Sequence, residues 1–295
     1  MNYKNVINDA GDEINFDDTS CEFFSEVYKH LAENLLCFDD HLFIHYGHNG
    51  TRKPVSRLYK HSYKVLIVEG GENKMMDFNE IADDYYAIFA HYTAPVKKVV
   101  DTIPLGTFRE ACIPQTLLSE RMYDIAFCGC LNNNRVSLAS EITGIKTKWI
   151  TAGLLHAKKH TLNFLSYYAK TKHPGHFYHF NPDFNKGVNK SYYNYLISQS
   201  KICLCPKGWV NAETFRLYEA MKSGCVVICN KLPDRWYYKN IPAIQVEDWR
   251  EGYQIAQNLL KNPDELQKLS NASLNYYNKR LSGTATAKYI IKKLK

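Results

Sequence analysis

Lys201-ICLCPKGWVNAETFRLYEAMKSGCVVIC-Asn230 reads as strand, loop, helix, strand, with its charges gathered where the helix begins. Lys201 to Cys205 is a short apolar run stopped by Pro206, and Cys225 to Cys229 is a second that starts directly after Gly224. Both fit buried parallel strands. Between them Asn211 suits an N-cap, and Ala212, Phe215, Tyr218 and Met221 repeat every three residues as the core face of a helix. Gly224 fits the left-handed position after the helix end. Glu213, Arg216 and Glu219 also step by three, so they share a second face, with Arg216 flanked by a carboxylate one turn away on each side.

These residue types suit a phosphorylated ligand. The loop Lys207, Gly208, Trp209 ahead of a helix N-terminus offers backbone N–H groups and a partial positive charge. Arg216 can grip phosphate oxygens bidentately, and a carboxylate such as Glu219 can accept from both ribose hydroxyls. The same spacing also describes a surface helix carrying i,i+3 ion pairs of about 0.2–0.5 kcal/mol each, and the residues alone leave both readings open.

The words "YLISQSKICLCPKG" from Tyr195, "ETFRLYEAMKSGCVVI" from Glu213 and "VEDW" ending at Trp249 resemble the C-terminal half of GT-B glycosyltransferases, in particular exostosin-like enzymes of bacterial surface-polysaccharide assembly. "IPLG" at Ile103 to Gly106 and "RMYDIAFCGCLNNNR" at Arg121 to Arg135 look like the crossover into the second GT-B domain. The resemblance covers about Lys97 to Trp249. It implies two Rossmann-like doubly wound α/β domains with a cleft between them, the second binding a nucleotide sugar. By position it gives Arg216 the diphosphate and Glu219 the ribose, and it places Gly129 in a glycine loop facing the donor, with Arg135 as the arginine after that loop. Many retaining GT-B enzymes separate two glutamates by seven residues. Here five residues separate Glu213 from Glu219, which turns the expectation toward inversion.

A chain of 295 residues, 45% hydrophobic and 14% aromatic, is long enough for two domains with ample core. The expected division is residues 1–118 as an acceptor-side α/β domain, 119–283 as the donor-binding domain, and 284–295 as a C-terminal helix packing back on the first. No apolar run reaches the ~18–20 residues of a spanning helix, and the N-terminus is too acidic for a secretory signal, so a cytoplasmic protein is expected, with contact at the inner membrane face left open. The formal charge of +7 suits an anionic partner without choosing one. No Arg-rich stripe or RNA-binding signature supports nucleic acid. The basic clusters are His156 to His160, Lys170 to His173 and the lysines ending the last helix, which either finishes the fold or lies on an anionic membrane. Nine cysteines in mostly apolar runs read as reduced, buried thiols. The pairs Cys128/Cys130 and Cys203/Cys205 are read as facing apart, hence as poor zinc or disulfide partners.

Along the chain, strands are expected at Lys4 to Asn8, Leu42 to Tyr46, Lys64 to Glu69, Tyr86 to Ala90, Val96 to Ile103, Tyr123 to Cys128, Lys148 to Thr151, His176 to Phe180 and Ala243 to Val246. Helices are expected from Thr19 or Ser20 to Leu36, from about Arg135, over Leu162 to Ala169 and Lys190 to Ser198, and from Arg250, Pro263 and Thr284.

Glycosyl transfer needs stabilisation of the departing diphosphate and a base for the acceptor hydroxyl. Asp pairs are adjacent (Asp39/Asp40, Asp83/Asp84) and never Asp-x-Asp, so Lys207, Arg216 and the helix N-terminus are expected to meet the leaving-group charge with no metal and no other cofactor. For the base, Glu69 and Glu72 in "VEGGEN" follow an expected strand; His91 and His45 also end strand-like runs. The commoner reading of such residues is a loop charge or a packed histidine. The expected activity is transfer from a nucleotide sugar to a glycan or lipid-linked saccharide. The alternatives are a catalytically inactive binding or scaffold protein and, last, a Rossmann oxidoreductase, which lacks a G-x-G-x-x-G after a strand.

Overall fold

The structure, a computed structural model, describes residues 3–14, 22–48, 53–70, 77–93, 99–107, 116–183 and 186–295. The chain divides into two compact units. One gathers Met1–Glu110, Arg235–Tyr237 and Asn278–Lys295; the other holds Ala111–Asp234 and Tyr238–Tyr277. The helices are α1 (Glu22–Asn34), α2 (Val136–Thr143), α3 (Thr147–Lys172), α4 (Lys190–Ser198), α5 (Phe215–Lys222), α6 (Trp249–Leu259), α7 (Pro263–Tyr276) and α8 (Gly283–Leu294).

The first unit is built on five parallel strands laid side by side in chain order: β1 (Val6–Asn8), β2 (Leu42–His48), β3 (Lys64–Gly70), β4 (Ala87–Ala90) and β5 (Val100–Thr102). Side chains alternate between two apolar layers, as a pleated strand requires. Phe43, Val65, Ile67 and Phe89 pack with residues of α1 and α8, while Ile44, Leu66, Val68 and Ile88 pack with Phe78, Ile81 and Tyr85. α1 buries Phe23, Phe24, Val27, Tyr28 and Leu31 at helical spacing. α8 spends its whole apolar stripe, Ala287, Ile290, Ile291 and Leu294, in the same core. Its start is fixed by Ser282, whose side chain accepts from the Ala285 N–H, and by Glu26, which accepts from the Gly283 and Thr284 N–H groups at 3.1 and 3.0 Å. Gly283 is needed there, because a Cβ would lie 2.6 Å from the Phe23 carbonyl oxygen.

The second unit has β6 (Tyr123–Cys130), β7 (Phe177–Asn181), β8 (Ser200–Cys205), β9 (Val226–Asn230) and β10 (Ile244–Val246), all parallel in the order β10-β9-β8-β6-β7. The chain lays β7 on one side of β6 and then returns to place β8 on the other. That reversal puts a topological switch point at the carboxyl ends of β6 and β8, where open α/β sheets bind ligands. One face buries Ile125, Phe127, Ile202, Leu204, Val226 and Ile228 against α2, α3 and α6.

Four expectations need correction. Lys148 to Thr151 is helix, the first turns of α3, whose two halves meet at a non-helical Ala157 (φ −147°, ψ 53°). The opening helix starts later than read: Thr214 is the N-cap, and Asn211, Ala212 and Glu213 belong to the loop, tied by the Gly208 N–H donating to the Asn211 carbonyl at 2.8 Å. Residues two apart on a strand share a face, so C-x-C pairs do not point apart; the Cys203 and Cys205 sulfurs are 3.9 Å from one another. Burial pushes the Cys229 thiol up to about 12 and raises Cys203 and Cys225, in the case of Cys203 after its hydrogen bond to Cys205, so these thiols stay protonated at neutral pH. The strand read from Val96 begins at Val100, and residues 96–98 lie outside the described residues.

Candidate functional site

In the second unit, two βα loops are stitched together beside the switch point. After β6 the loop runs through Asn132, Asn133 and Asn134 into a 3-10 turn, Asn133–Arg135. Asn134 Nδ2 donates to the carbonyls of Gly208 (2.7 Å) and Trp209 (3.0 Å) in the loop after β8. Arg135 Nε donates to the Lys207 carbonyl at 2.8 Å and Nη1 to the Cys130 carbonyl at 2.6 Å. Asn230, the last residue of β9, accepts from the Lys207 N–H at 2.8 Å. Arg135 is therefore a buried clamp between loops, with its guanidinium spent on backbone. Lys207 keeps its ammonium half-buried with no partner among the described residues, Gly208 is buried and Trp209 is exposed.

Arg216, in the first turn of α5, lies over Phe127 with its guanidinium carbon 4.8 Å from the ring centre. Its Nε and Nη2 donate to the Cys128 carbonyl at 3.0 and 2.7 Å. Only 9% of Arg216 is exposed, and its Nη1 is buried without an acceptor among the described residues. Gly129 makes room for this: a Cβ there would stand 2.0 Å from Arg216 Nη2. Both polar side-chain atoms of Asn132, and the hydroxyl of the N-cap Thr214, are likewise buried with no hydrogen-bond partner among the described residues. Glu219 is buried and accepts from the Tyr193 hydroxyl of α4 at 2.9 Å. Burial raises the Tyr193 pKa well above its ordinary value; Glu219 adds to that rise and Arg216 opposes it, so all three are electrostatic neighbours. Glu213 is buried in the loop ahead of α5. An exposed helix face laced with ion pairs is thereby excluded: Glu213, Arg216 and Glu219 are all interior.

The first unit gathers titratable groups at the carboxyl ends of β2, β3 and β4. Glu69 Oε2 lies 3.1 Å from His45 Nε2, and His45 Nδ1 lies 3.3 Å from the Tyr28 hydroxyl. His91 Nδ1 accepts from the Gly70 N–H at 3.2 Å, and its ring stacks on Phe24. Burial raises the Glu69 pKa, but the hydrogen bond and charge of His45 and the charge of His91 outweigh it, so the carboxyl falls below its ordinary value. Burial lowers His91 to about 4, against the opposing charge of Glu69, so it is neutral at pH 7. His91 thus anchors the turn after β3, while Glu69 remains partly exposed. Gly71 and Glu72 lie outside the described residues.

Residues that the sequence reading left without a role complete both clusters: Tyr193, Asn132, Asn134 and Asn230 in the second unit, and Tyr28 in the first. Asn230 closes the opening stretch and the three asparagines sit in a recognised turn. Tyr193 carried no signal, since nothing in α4 marks one tyrosine among three. Arg235 donates to the Tyr92 and Thr93 carbonyls. Among the described residues no group of three or more His, Cys, Asp or Glu is placed to hold a metal ion.

The fold is that of the GT-B glycosyltransferases. Anabaena Alr3699/HepE, solved with UDP and glucose, superposes with a TM-score of 0.54 over 90% of this chain and 80% of its own, at 8% identity. A glycosyltransferase from Rickettsia africae gives 0.52 over 95% and 84%, at 11% identity. TarM gives 0.50 at 11% identity; this chain spans 57% of its length. No family model and no curated protein sequence matches the chain, so the exostosin-like resemblance rests on the quoted residues.

Proposed function

We propose that the chain is a glycosyltransferase that takes a sugar from a nucleotide-sugar donor and passes it, with inversion and without a metal ion, to a hydroxyl of a glycan or lipid-linked saccharide. The observation that carries this reading is the Arg216 Nη1 group, buried at the switch point with no acceptor among the described residues. A buried donor without a partner costs about 1–3 kcal/mol, and a diphosphate oxygen is the acceptor this one lacks. Asn132, unpartnered in the neighbouring loop, supplies further donor and acceptor atoms. As the sugar–phosphate bond breaks, its electron pair stays on the diphosphate, where Arg216 and the free ammonium of Lys207 stabilise it. Exposed Trp209 offers a stacking face for the base. Glu219, oriented by Tyr193, accepts from the ribose hydroxyls.

On the acceptor side Glu69 is the base. Its lowered pKa keeps it ionised at neutral pH, and His45, held by Tyr28, fixes its orientation. It takes the acceptor's proton as the acceptor oxygen attacks the anomeric carbon. HepE, crystallised with UDP and glucose, supports a nucleotide-sugar donor through its shared fold. A melting screen against uridine, guanosine, cytidine and adenosine diphosphate sugars and cytidine monophosphate sugars tests the reading. One nucleotide series should raise the melting temperature, and the same donor should be consumed when an acceptor is supplied. Stabilisation without turnover over a broad acceptor panel would favour the inactive binding protein, and no stabilisation by any nucleotide would overturn the proposal.

A further inference from the structure

From Ile142 to Pro182 the chain contains no Asp or Glu but six lysines and five histidines. Most of this segment is α3. Its inward side is thin: Ile150, Leu162, Leu165 and Ala169 are its buried residues. Its outward side carries large apolar groups. Trp149 is 64% exposed, Leu155 77%, Phe164 52% and Tyr167 72%. Solvent-facing apolar groups at this density along one element mark a contact surface.

The placement is ordered. In the second half of α3, at about 100° per residue, Phe164, Tyr167 and Tyr168 fall within an arc of roughly 100°. Phe164 and Tyr168 stack at 5.7 Å. Lys159 and Lys170 flank this aromatic arc on one side and Lys158 on the other, all exposed. In the first half, Lys148 reaches over the Trp149 ring at 5.3 Å. The halves are held together at the kink, where a Cβ on Gly153 would come within 2.7 Å of the Thr161 hydroxyl oxygen. The carboxylates that bound the segment in sequence are occupied by other cations, Glu141 by Arg250 and Asp183 by Lys186. The surface therefore has an aromatic centre, basic flanks and no acidic residue along it.

We infer that α3 docks the second unit onto an anionic lipid surface, with Trp149, Phe164 and Tyr167 entering the headgroup layer and Lys158, Lys159 and Lys170 meeting lipid phosphates. Aromatic side chains combine an apolar body with a polar edge and settle at this depth, and lysines extend to the charged layer above it. α8 is the instructive contrast. It too ends in lysines, but its apolar stripe is consumed by the core of the first unit and Lys293 is paired with Asp101 at 2.7 Å, so it has no face to offer a bilayer. The inference stands independently of the transfer reaction.

The test is sedimentation of the full chain with phosphatidylcholine vesicles and with vesicles containing phosphatidylglycerol. Only the second should capture the protein, and added salt should weaken capture. Lys158→Glu with Lys159→Glu should lower the affinity about 30-fold. Phe164→Ser with Tyr167→Ser, which leaves the charge unchanged, should lower it about tenfold. These positions are exposed, and an unchanged circular-dichroism melt confirms that the variants fold. Failure of the wild-type chain to bind phosphatidylglycerol vesicles would overturn the inference. So would full binding by the aromatic variant, or tighter binding of a single-stranded oligonucleotide than of the vesicles, since either would reduce the surface to a polyanion patch.

Discussion

The two sheets have the same number of strands and the same parallel direction, yet they are wound differently, and their chemistry follows the winding. The first is laid in chain order, β1 to β5, and never reverses. Its strands present Glu69 hydrogen-bonded to His45, and His91 accepting from the Gly70 N–H, with the Glu69 and His91 pKa values both lowered. The second reverses between β6 and β8. The parting of the chain there leaves loops that must be sewn together, and Asn134, Arg135, Arg216 and Asn230 do so through backbone carbonyls and amides. The stitching groups are two guanidinium groups and two amides, while the carboxylates Glu213 and Glu219 lie buried beside them.

The sharpest way to break this comparison is in the first unit, at the proposed base. Glu69→Gln keeps the shape and removes the base; kcat should fall about 100-fold or more while donor affinity is unchanged. Equal loss of donor affinity would merge the two roles. Gly129→Ala acts on the other unit. Its Cβ cannot coexist with Arg216 Nη2 at 2.0 Å, so Arg216 must leave the Cys128 carbonyl, costing about 1–3 kcal/mol of stability and about tenfold in nucleotide affinity, measured by melting and calorimetry.

The pH dependence should separate the units again. His91 has a folded pKa of about 4, below its ordinary 6.5, so the unfolded chain binds the extra proton first. Stability present above about pH 6.5 is lost as pH falls toward 4, by up to about 3 kcal/mol. His91→Gln should flatten that slope in denaturant titrations, leaving the share due to His176 of the second unit, which burial also lowers to about 4. The smallest effect is expected for Tyr193→Phe. Loss of its hydrogen bond to buried Glu219 should cost about 1–2 kcal/mol in stability and shift nucleotide affinity slightly.

The strand, loop, helix and strand from Lys201 to Asn230 were legible because each boundary had a local cause: Pro206 ends a strand, and Gly224 takes the left-handed φ of 65° after α5. α4 was legible at both ends and α7 at its start; Asn189 caps the first, and Asn262 with Pro263 starts the second. α3 was misread at its start because only Ile150 of its first turns is buried, which leaves no 3.6-residue pattern, while Trp149, Ile150 and Thr151 favour a strand locally. For the candidate site, Arg216 and Glu219 drew attention by residue type and spacing, and Gly129 through the resemblance. Their partners did not. The contacts from Asn134 to Gly208 and from Tyr193 to Glu219 join residues 74 and 26 positions apart, and only the sheet order brings them together.

The measurement that bears most directly on the account is calorimetric titration of a nucleoside diphosphate into the wild-type chain and Arg216→Ala, each first shown to be folded. The account predicts micromolar-range binding by the wild type and a loss of about 100-fold or more in the variant, because the proposal assigns the Nη1 group to phosphate. Equal affinity in the two folded proteins would contradict it.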